Sequence, residues 1–489
     1  MALFEQFPYT NFHELNLADL TLLTKECLEE LQKWTGDLEN AVADYITAHP
    51  EIMITPDSVY TDSVQNGAIT KEKLDPDLQT ELGYYVTPQQ FGAAGDGATD
   101  DRAAFQAAFD SGFDVYIPTD HGETYKIIGP APVDVGGVPV EQPALIWRNT
   151  VQDPAHPEDP SKRITAGRKL YGLGNWRTVG TRGAIVFYSY NDSLTQPLIR
   201  VEEGVQGFHI ANLRFKNSTS SNRGVCLDAA TSSTIDKDII INDCSIVDFS
   251  LGIDFKGRGL TCYQDSFNSC TDAIHINYDG DDTYQSRAIW FENCRFHAVT
   301  EKVIDIQSGC AWGLMINNCL CDNGVKMLLH SAAGVTGKNW MITNNMLQDM
   351  DRKTNFLYTI LLQGSVDDII ISGNMFDTRD LTKAPTSVIR FEGPVAGAVI
   401  QGNRIDRLYY NNDPQHSSAT YRAIVFAGTA SDVVITGNNA AGIQSTQFLF
   451  TVAANQGSRF CVTGNVTTGG IKPSTATLLD SVVDNNVSA

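Results

Sequence analysis

Ile371-Ser-Gly-Asn-Met-Phe376, Ile400-Gln-Gly-Asn-Arg-Ile405, Ile435-Thr-Gly-Asn-Asn-Ala440 and Val462-Thr-Gly-Asn-Val-Thr467 are four copies of one short unit. An apolar residue leads through two small or polar residues to an asparagine, and the chain then turns apolar again within two residues. Upstream the unit reads Ile342-Thr-Asn-Asn-Met-Leu347, Ile316-Asn-Asn-Cys-Leu-Cys321 and Phe291-Glu-Asn-Cys-Arg-Phe296. Earlier still come Cys262-Tyr-Gln-Asp-Ser-Phe267, Ile241-Asn-Asp-Cys-Ser-Ile246 and Ile210-Ala-Asn-Leu-Arg-Phe215. The fourth positions run from 213 to 465 in nine steps that average 28 residues. Two or three short β runs fit in each period, with almost no helical pattern, which is the sequence form of a β solenoid. Glycine before the asparagine permits a turn with positive φ. The asparagines at 345, 374, 403, 438 and 465 then stack amide on amide, satisfying their polar atoms coil by coil. Ten coils at ~4.8 Å predict a rod about 45–50 Å long. A leucine-rich repeat is excluded because its regular leucines are absent, and a propeller needs longer blades.

Stacking also resolves a problem of size. The 489 residues exceed the ~250–300 at which a single compact core stops growing, but a rod has no such limit. The 58 acidic against 35 basic side chains give a net charge of −23, which excludes general affinity for nucleic acid or anionic lipid. Apolar residues make up 42% and charged ones 19%, so composition does not predict disorder. Ten cysteines contain no CxxC spacing. The first residues carry neither a basic n-region nor an apolar h-region, and no run reaches the ~18 apolar residues of a membrane span. The expectation is therefore synthesis in a reducing cytoplasm, no membrane insertion, and buried thiols at Cys244, Cys294 and Cys319.

Residues 12–48 differ from the rest. Leu17, Leu20, Thr24, Cys27, Leu31, Trp34, Leu38, Ala41 and Tyr45 alternate in steps of three and four, a coiled-coil seam that Gly36 interrupts. The predicted organisation is an α-helical attachment and oligomerisation region at 1–50 and a linker at 51–85. An opening and cap region at 86–200 and a parallel β-helix at 201–489 follow. At 86–112 a strand leads into a glycine turn (Gly92, Gly95, Gly97). An amphipathic helix comes next, capped by Thr99, Asp100 or Asp101, with Phe105, Ala108 and Phe109 on its apolar face.

This run, with Gly95-Asp96-Gly97 and Asp100-Asp101, resembles the opening of the pectate-lyase-superfamily domain of bacteriophage tailspikes and tail appendages. The resemblance implies a right-handed parallel β-helix whose first helix caps the barrel. It also implies a homotrimeric virion protein, mounted through its N-terminus on tail or neck proteins near the portal, that meets a host surface polysaccharide. Phe7-Pro-Tyr-Thr-Asn-Phe-His-Glu-Leu-Asn-Leu17 resembles the start of appendage proteins of small tailed phages. The family's fold residues bring no catalytic set with them. No nucleophile elbow, HExxH or Walker loop is present, nor the carboxylate arrangement of polygalacturonase-like hydrolases.

The second strand of each coil carries the chemistry. Gly252-Ile-Asp-Phe-Lys256, Ala273-Ile-His-Ile-Asn277 and Val303-Ile-Asp-Ile-Gln307 align, so that Ile253, Phe255, Ile274, Ile276, Ile304 and Ile306 face inward. One outward column reads Asp254, His275, Asp305. The next reads Lys256, Asn277, Gln307, His330, Gln363, Glu392, with Arg390 beside the last. Asp254 and Asp305 stand two coils apart, roughly 9–10 Å at Cα, near the ~6.5–9.5 Å of an inverting glycosidase acid–base pair. Outward stacking of opposite charges accounts for the same residues without catalysis. Trp290, predicted to be exposed, can stack on a sugar or cover a subunit contact. Asp279, Asp281 and Asp282 form a candidate site for a structural Ca2+, and no other cofactor is expected. The functional expectation is glycan binding during adsorption. The alternatives are a polysaccharide depolymerase, hydrolase before lyase, and a purely structural decoration.

Overall fold

The computed structural model describes residues 85–488 apart from 119–121, 153–158, 160–162, 166–167, 173–183, 219–222, 231–235, 278–288, 349–357, 378–386, 407–421, 441–447, 453–456, 468–469 and 472–477. The helical head, the linker and the aspartates at 279, 281 and 282 lie outside the described residues. From Tyr84 onward the chain is one unit, and segments on both sides of residue 200 enter the same sheets.

That unit is a right-handed parallel β-helix. Among the described residues, three long sheets of 17, 14 and 11 strands (sheets 1, 2 and 3) are parallel throughout. Each coil visits them in that order. Ile289–Glu292 lies in sheet 1, Arg295–His297 in sheet 2 and Lys302–Ser308 in sheet 3, before Leu314–Asn317 returns to sheet 1 beside Ile289–Glu292. At the start, helix α1 (Arg102–Phe109) buries Ala104, Phe105, Ala108 and Phe109. Phe105 meets Tyr125 at 5.1 Å and Phe109 meets Trp147 at 4.7 Å, so the helix closes the first coils. Asp101 stands at the N-cap, but its carboxylate accepts from the Ala94 and Gly95 amides (2.6 and 3.3 Å), tying the glycine turn to the helix.

The repeat becomes a hydrogen-bonded ladder where sheet 1 turns into sheet 2. Asn374 is representative: its N–H and Nδ2 both donate to Asn403 Oδ1 at 3.0 Å, and Nδ2 also donates to Ile342 O at 2.8 Å. The same pattern joins Asn345, Asn403, Asn438 and Asn465, all at most 1% exposed. It continues to Asn486, an eleventh copy of the unit beyond the ten read from the sequence, and three further strands of sheet 2 precede the first copy. The residue before each asparagine has positive φ in both versions of the turn: 65° at Gly373 and 61° at Gly402, 57° at Asn344 and 53° at Asn485. Cys244, Cys294 and Cys319 fill earlier slots as buried free thiols.

Sheet 1 carries a second regularity. From Trp290 to Val482 eight successive coils present Trp, Met, Met, Ile, Val, Val, Cys and Val on the outer face, in one register. Trp290 is 46% and Met341 42% exposed. The adjoining column, from Asn317 through Thr343, Ser372, Gln401 and Thr436 to Thr463, holds no charge.

Candidate functional site

Six strands of sheet 3 position the site: β1 (Leu251–Lys256), β2 (Asp272–Asn277), β3 (Lys302–Ser308), β4 (Met327–Ser331), β5 (Ile360–Leu362) and β6 (Ile389–Phe391). Alternation puts Ile253, Phe255, Ile274, Ile276, Ile304 and Ile306 fully inside. Asp254, His275 and Asp305 therefore share one outward column, Asp254 opposite His275 and His275 opposite Asp305, as predicted.

The next coil corrects the sequence reading. His330 stands opposite Asp305, in the first column rather than beside Gln307. Met327, Leu328 and Leu329 are all buried, and three consecutive apolar residues carry no alternation from which a register could be read. A register shift in β3 also sets Asn277 opposite Ser308 instead of Gln307. Arg390 follows in the first column after Leu361, while Glu392 lies one step past β6.

Asp305 is the hub. Its Oδ1 accepts from His330 Nδ1 at 2.5 Å, and its Oδ2 accepts from Lys302 Nζ at 2.7 Å and Gln307 Nε2 at 3.3 Å. His275 Nε2 lies 3.9 Å from Oδ2 and bonds Asp272 Oδ2 at 3.0 Å. Asp272 Oδ1 in turn accepts from the Lys302 amide at 2.8 Å. Burial opposes the charge of Asp305, but the bonds from His330 and Lys302 outweigh it and hold the carboxyl well below the usual range. Asp254 is shifted the other way. Burial pushes its carboxyl up and Asp228, one coil earlier, adds to this, against the attraction of His275 and a 3.5 Å contact from Asn277 Nδ2. Beyond His330, Nε2 meets Gln363 Oε1 at 3.1 Å, Gln363 Nε2 donates to Glu392 Oε2 at 2.8 Å, and Arg390 Nε donates to Glu392 Oε1 at 2.8 Å. The Arg390 guanidinium lies 5.2 Å over the Tyr358 ring.

The structure thus gathers Asp254, His275, Asp305, Asn277, Gln307, His330, Arg390 and Glu392 on one face. Trp290 is not among them, because it belongs to sheet 1 and its apolar column. No group of three or more metal-ligating side chains occurs among the described residues. Sequence reading missed Asp272, Lys302 and Tyr358. A signal for the first two was present: Asp272-Ala-Ile-His275 and Lys302-Val-Ile-Asp305 are charge-exchanged copies of one strand.

No family model and no curated protein matches the chain. Solved structures do. A tailspike protein of E. coli bacteriophage HK620, in complex with a pentasaccharide, matches with a TM-score of 0.51 at 14% identity, over 87% of this chain and 73% of that one. The catalytic unit of a thermostable α-1,3-glucanase from Streptomyces thermodiastaticus matches with a TM-score of 0.44 at 12% identity, over 82% and 68%. The enzymatically active domain of tailspike protein 2 of bacteriophage CBA120 matches with a TM-score of 0.41 at 12% identity, over 78% of this chain and 48% of that one. At such identities the first likeness establishes a shared fold.

Proposed function

We propose that this chain is a tailspike or tail-appendage protein of a virion and that the polar face of sheet 3 binds a host surface polysaccharide. The observation that carries the reading is the row from Asp254 to Glu392, in which hydrogen-bonding side chains of consecutive coils are locked to one another before any ligand arrives. Such preorganisation lowers the ordering cost of binding an extended polymer. The HK620 tailspike of the same fold, solved with a pentasaccharide, supports it. Titration of host capsule or wall polysaccharide into the full chain is expected to give saturable binding. His275→Ala and Lys302→Ala should each weaken it at least about tenfold. Binding that survives both substitutions unchanged places the ligand elsewhere.

Depolymerisation is the second reading, favoured by the opposite displacements of the Asp254 and Asp305 carboxyls, the pattern that separates an acid from a base. Asp254 would protonate the leaving oxygen and Asp305 would activate water. The rate would then fall as pH rises through the raised Asp254 value and as it falls through the lowered Asp305 value. Against this, Asp305 already accepts from three donors and its side chain is only 4% exposed, so binding is the better-supported function. Release of reducing ends from the polysaccharide, abolished by Asp254→Asn, would reverse that order.

The assembly proposed is a homotrimer joined along the apolar column of sheet 1. Copies carrying −23 each repel where like charges meet, and the apolar stripe, although flanked by exposed Asp368, Asp432 and Asp480, offers a straight eight-coil contact that fits a rod of the same rise. Light scattering is expected to give three times 53.5 kDa, and Met341→Glu with Ile370→Glu to lower it. A wild-type mass of 53.5 kDa would sink the trimer, and an unchanged double variant would sink the stripe.

A further inference from the structure

We propose that His330 is a positioning residue, protonated on both ring nitrogens, that ties Asp305 into a hydrogen-bonded relay crossing four coils to Glu392 and Arg390. This deepens the glycan-binding reading of the same face by removing His330 from the groups that touch sugar and giving it a structural charge.

The relay reads from its far end. Arg390 Nε donates to Glu392 Oε1, so the carboxylate end of the relay is an acceptor. Gln363 places one amide atom 2.8 Å from Glu392 Oε2, and only the amide nitrogen can sit there, because the reversed amide would set carbonyl oxygen against carboxylate oxygen. That choice turns Gln363 Oε1 toward His330 Nε2, 3.1 Å away. The other ring nitrogen, Nδ1, faces Asp305 Oδ1 at 2.5 Å. A neutral imidazole has one donor and one acceptor nitrogen and would leave a lone pair against an oxygen at one end. Imidazolium donates at both.

Charge balance agrees. The ionisable groups on the strands around His330 are Asp272 and His275 on β2, Lys302 and Asp305 on β3, and Arg390 and Glu392 just at and after β6. Glu301 and Lys326, just before β3 and β4, pair with each other at 3.1 Å, and of the rest three carboxylates face two fixed cations, which leaves room for a charged His330. Burial opposes ionisation of Glu392, yet the bonds from Gln363 and Arg390 hold its carboxyl below the usual range, so the far end of the relay stays anionic. The side chain of His330 is 14% exposed, which leaves it little surface to offer a ligand. What the face presents outward is the His275 ring and the Lys302 ammonium that Asp305 orients.

The test uses the full chain labelled with ring-15N histidine, with His330→Gln to assign the signal. At pH 7.5 an ordinary imidazole is about nine-tenths neutral. Wild-type His330 is expected to show both nitrogens protonated, and Gln363→Met, a half-buried change that leaves the core intact, to bring the signal of a bare nitrogen up to about half or more of the population at the same pH. A bare nitrogen in the folded wild type overturns the relay, as does a spectrum that Gln363→Met leaves unchanged. A chain that shows the doubly protonated ring but binds no polysaccharide keeps the relay and refutes the glycan reading. A chain that binds polysaccharide with a neutral His330 does the reverse.

Discussion

Asn403→Ala will destabilise the rod by about 2–4 kcal/mol, because it strands the buried Asn374 N–H and removes one bond from each of three further buried groups, and each buried unsatisfied polar group costs ~1–3 kcal/mol. The Asn374 amide and Nδ2 both lose the Asn403 Oδ1 acceptor, and Ile371 O and Asn438 Oδ1 each lose a donor. All these groups are sealed from water between coils. Gln401→Ala, two residues away on the exposed side of the same coil, is the control and should change stability by less than about 0.5 kcal/mol. Urea unfolding of the full chain followed by circular dichroism measures both. A loss below about 1 kcal/mol at Asn403 would mean that the ladder accompanies coil stacking without supporting it.

Asp265→Asn is expected to act in the opposite direction. Asp265 occupies a ladder slot at 1% exposure: its Oδ1 accepts from the Cys244 amide at 2.8 Å, while Oδ2 is buried with no hydrogen-bond partner. In the asparagine coils the second amide atom is a donor to a carbonyl of the previous coil, so a carboxyl fits this slot only as the acid. Burial accordingly pushes Asp265 well above its ordinary value. The sign follows from linkage. Below the usual carboxylate range Asp265 is protonated whether the chain is folded or not, and the native form loses nothing. As pH rises above 3.8 the unfolded chain ionises while the folded one must keep its proton, so wild-type stability falls by up to about 1.4 kcal/mol per pH unit until the folded group titrates. Asparagine has no proton to lose. Melting temperatures of Asp265→Asn and wild type should nearly coincide at pH 3.5 and diverge towards neutrality, with the variant higher. Parallel curves would show that Asp265 is ionised in the fold.

The fold was legible because a solenoid stacks like on like: coils that repeat in space repeat in sequence, and the Gly-Asn pairs mark the turn and its positive φ together. The last coil was missed although Val483-Asp-Asn-Asn-Val-Ser488 carries the same Asn-Asn pair as Ile342-Thr-Asn-Asn-Met-Leu347, and φ at Asn485 is 53°. The acid column was legible wherever apolar and polar residues strictly alternate, as in β1 and β2. It failed at Met327-Leu-Leu-His330, where alternation disappears and only the partner strand fixes the register. Trp290 was misplaced for another reason. It follows closely on the second strand of one coil in sequence, yet its own strand belongs to sheet 1 and not to sheet 3. Tyr358 reaches Arg390 through coil stacking alone, and no local spacing announces that contact.

The composition of the ladder has a mechanical consequence. Coils of a β-helix bear axial load in series, so the rod yields where the junction between neighbours is weakest. From Asn345 to Asn486 every junction is latched by amide bonds, whereas the coils marked by Cys244, Asp265 and Cys294 substitute thiols and one acid. Those are the coils that carry Asp254, His275 and Asp305. Pulled from its two ends, this rod should part first across the face that holds its chemistry, and the asparagine half should remain wound as an intact spring.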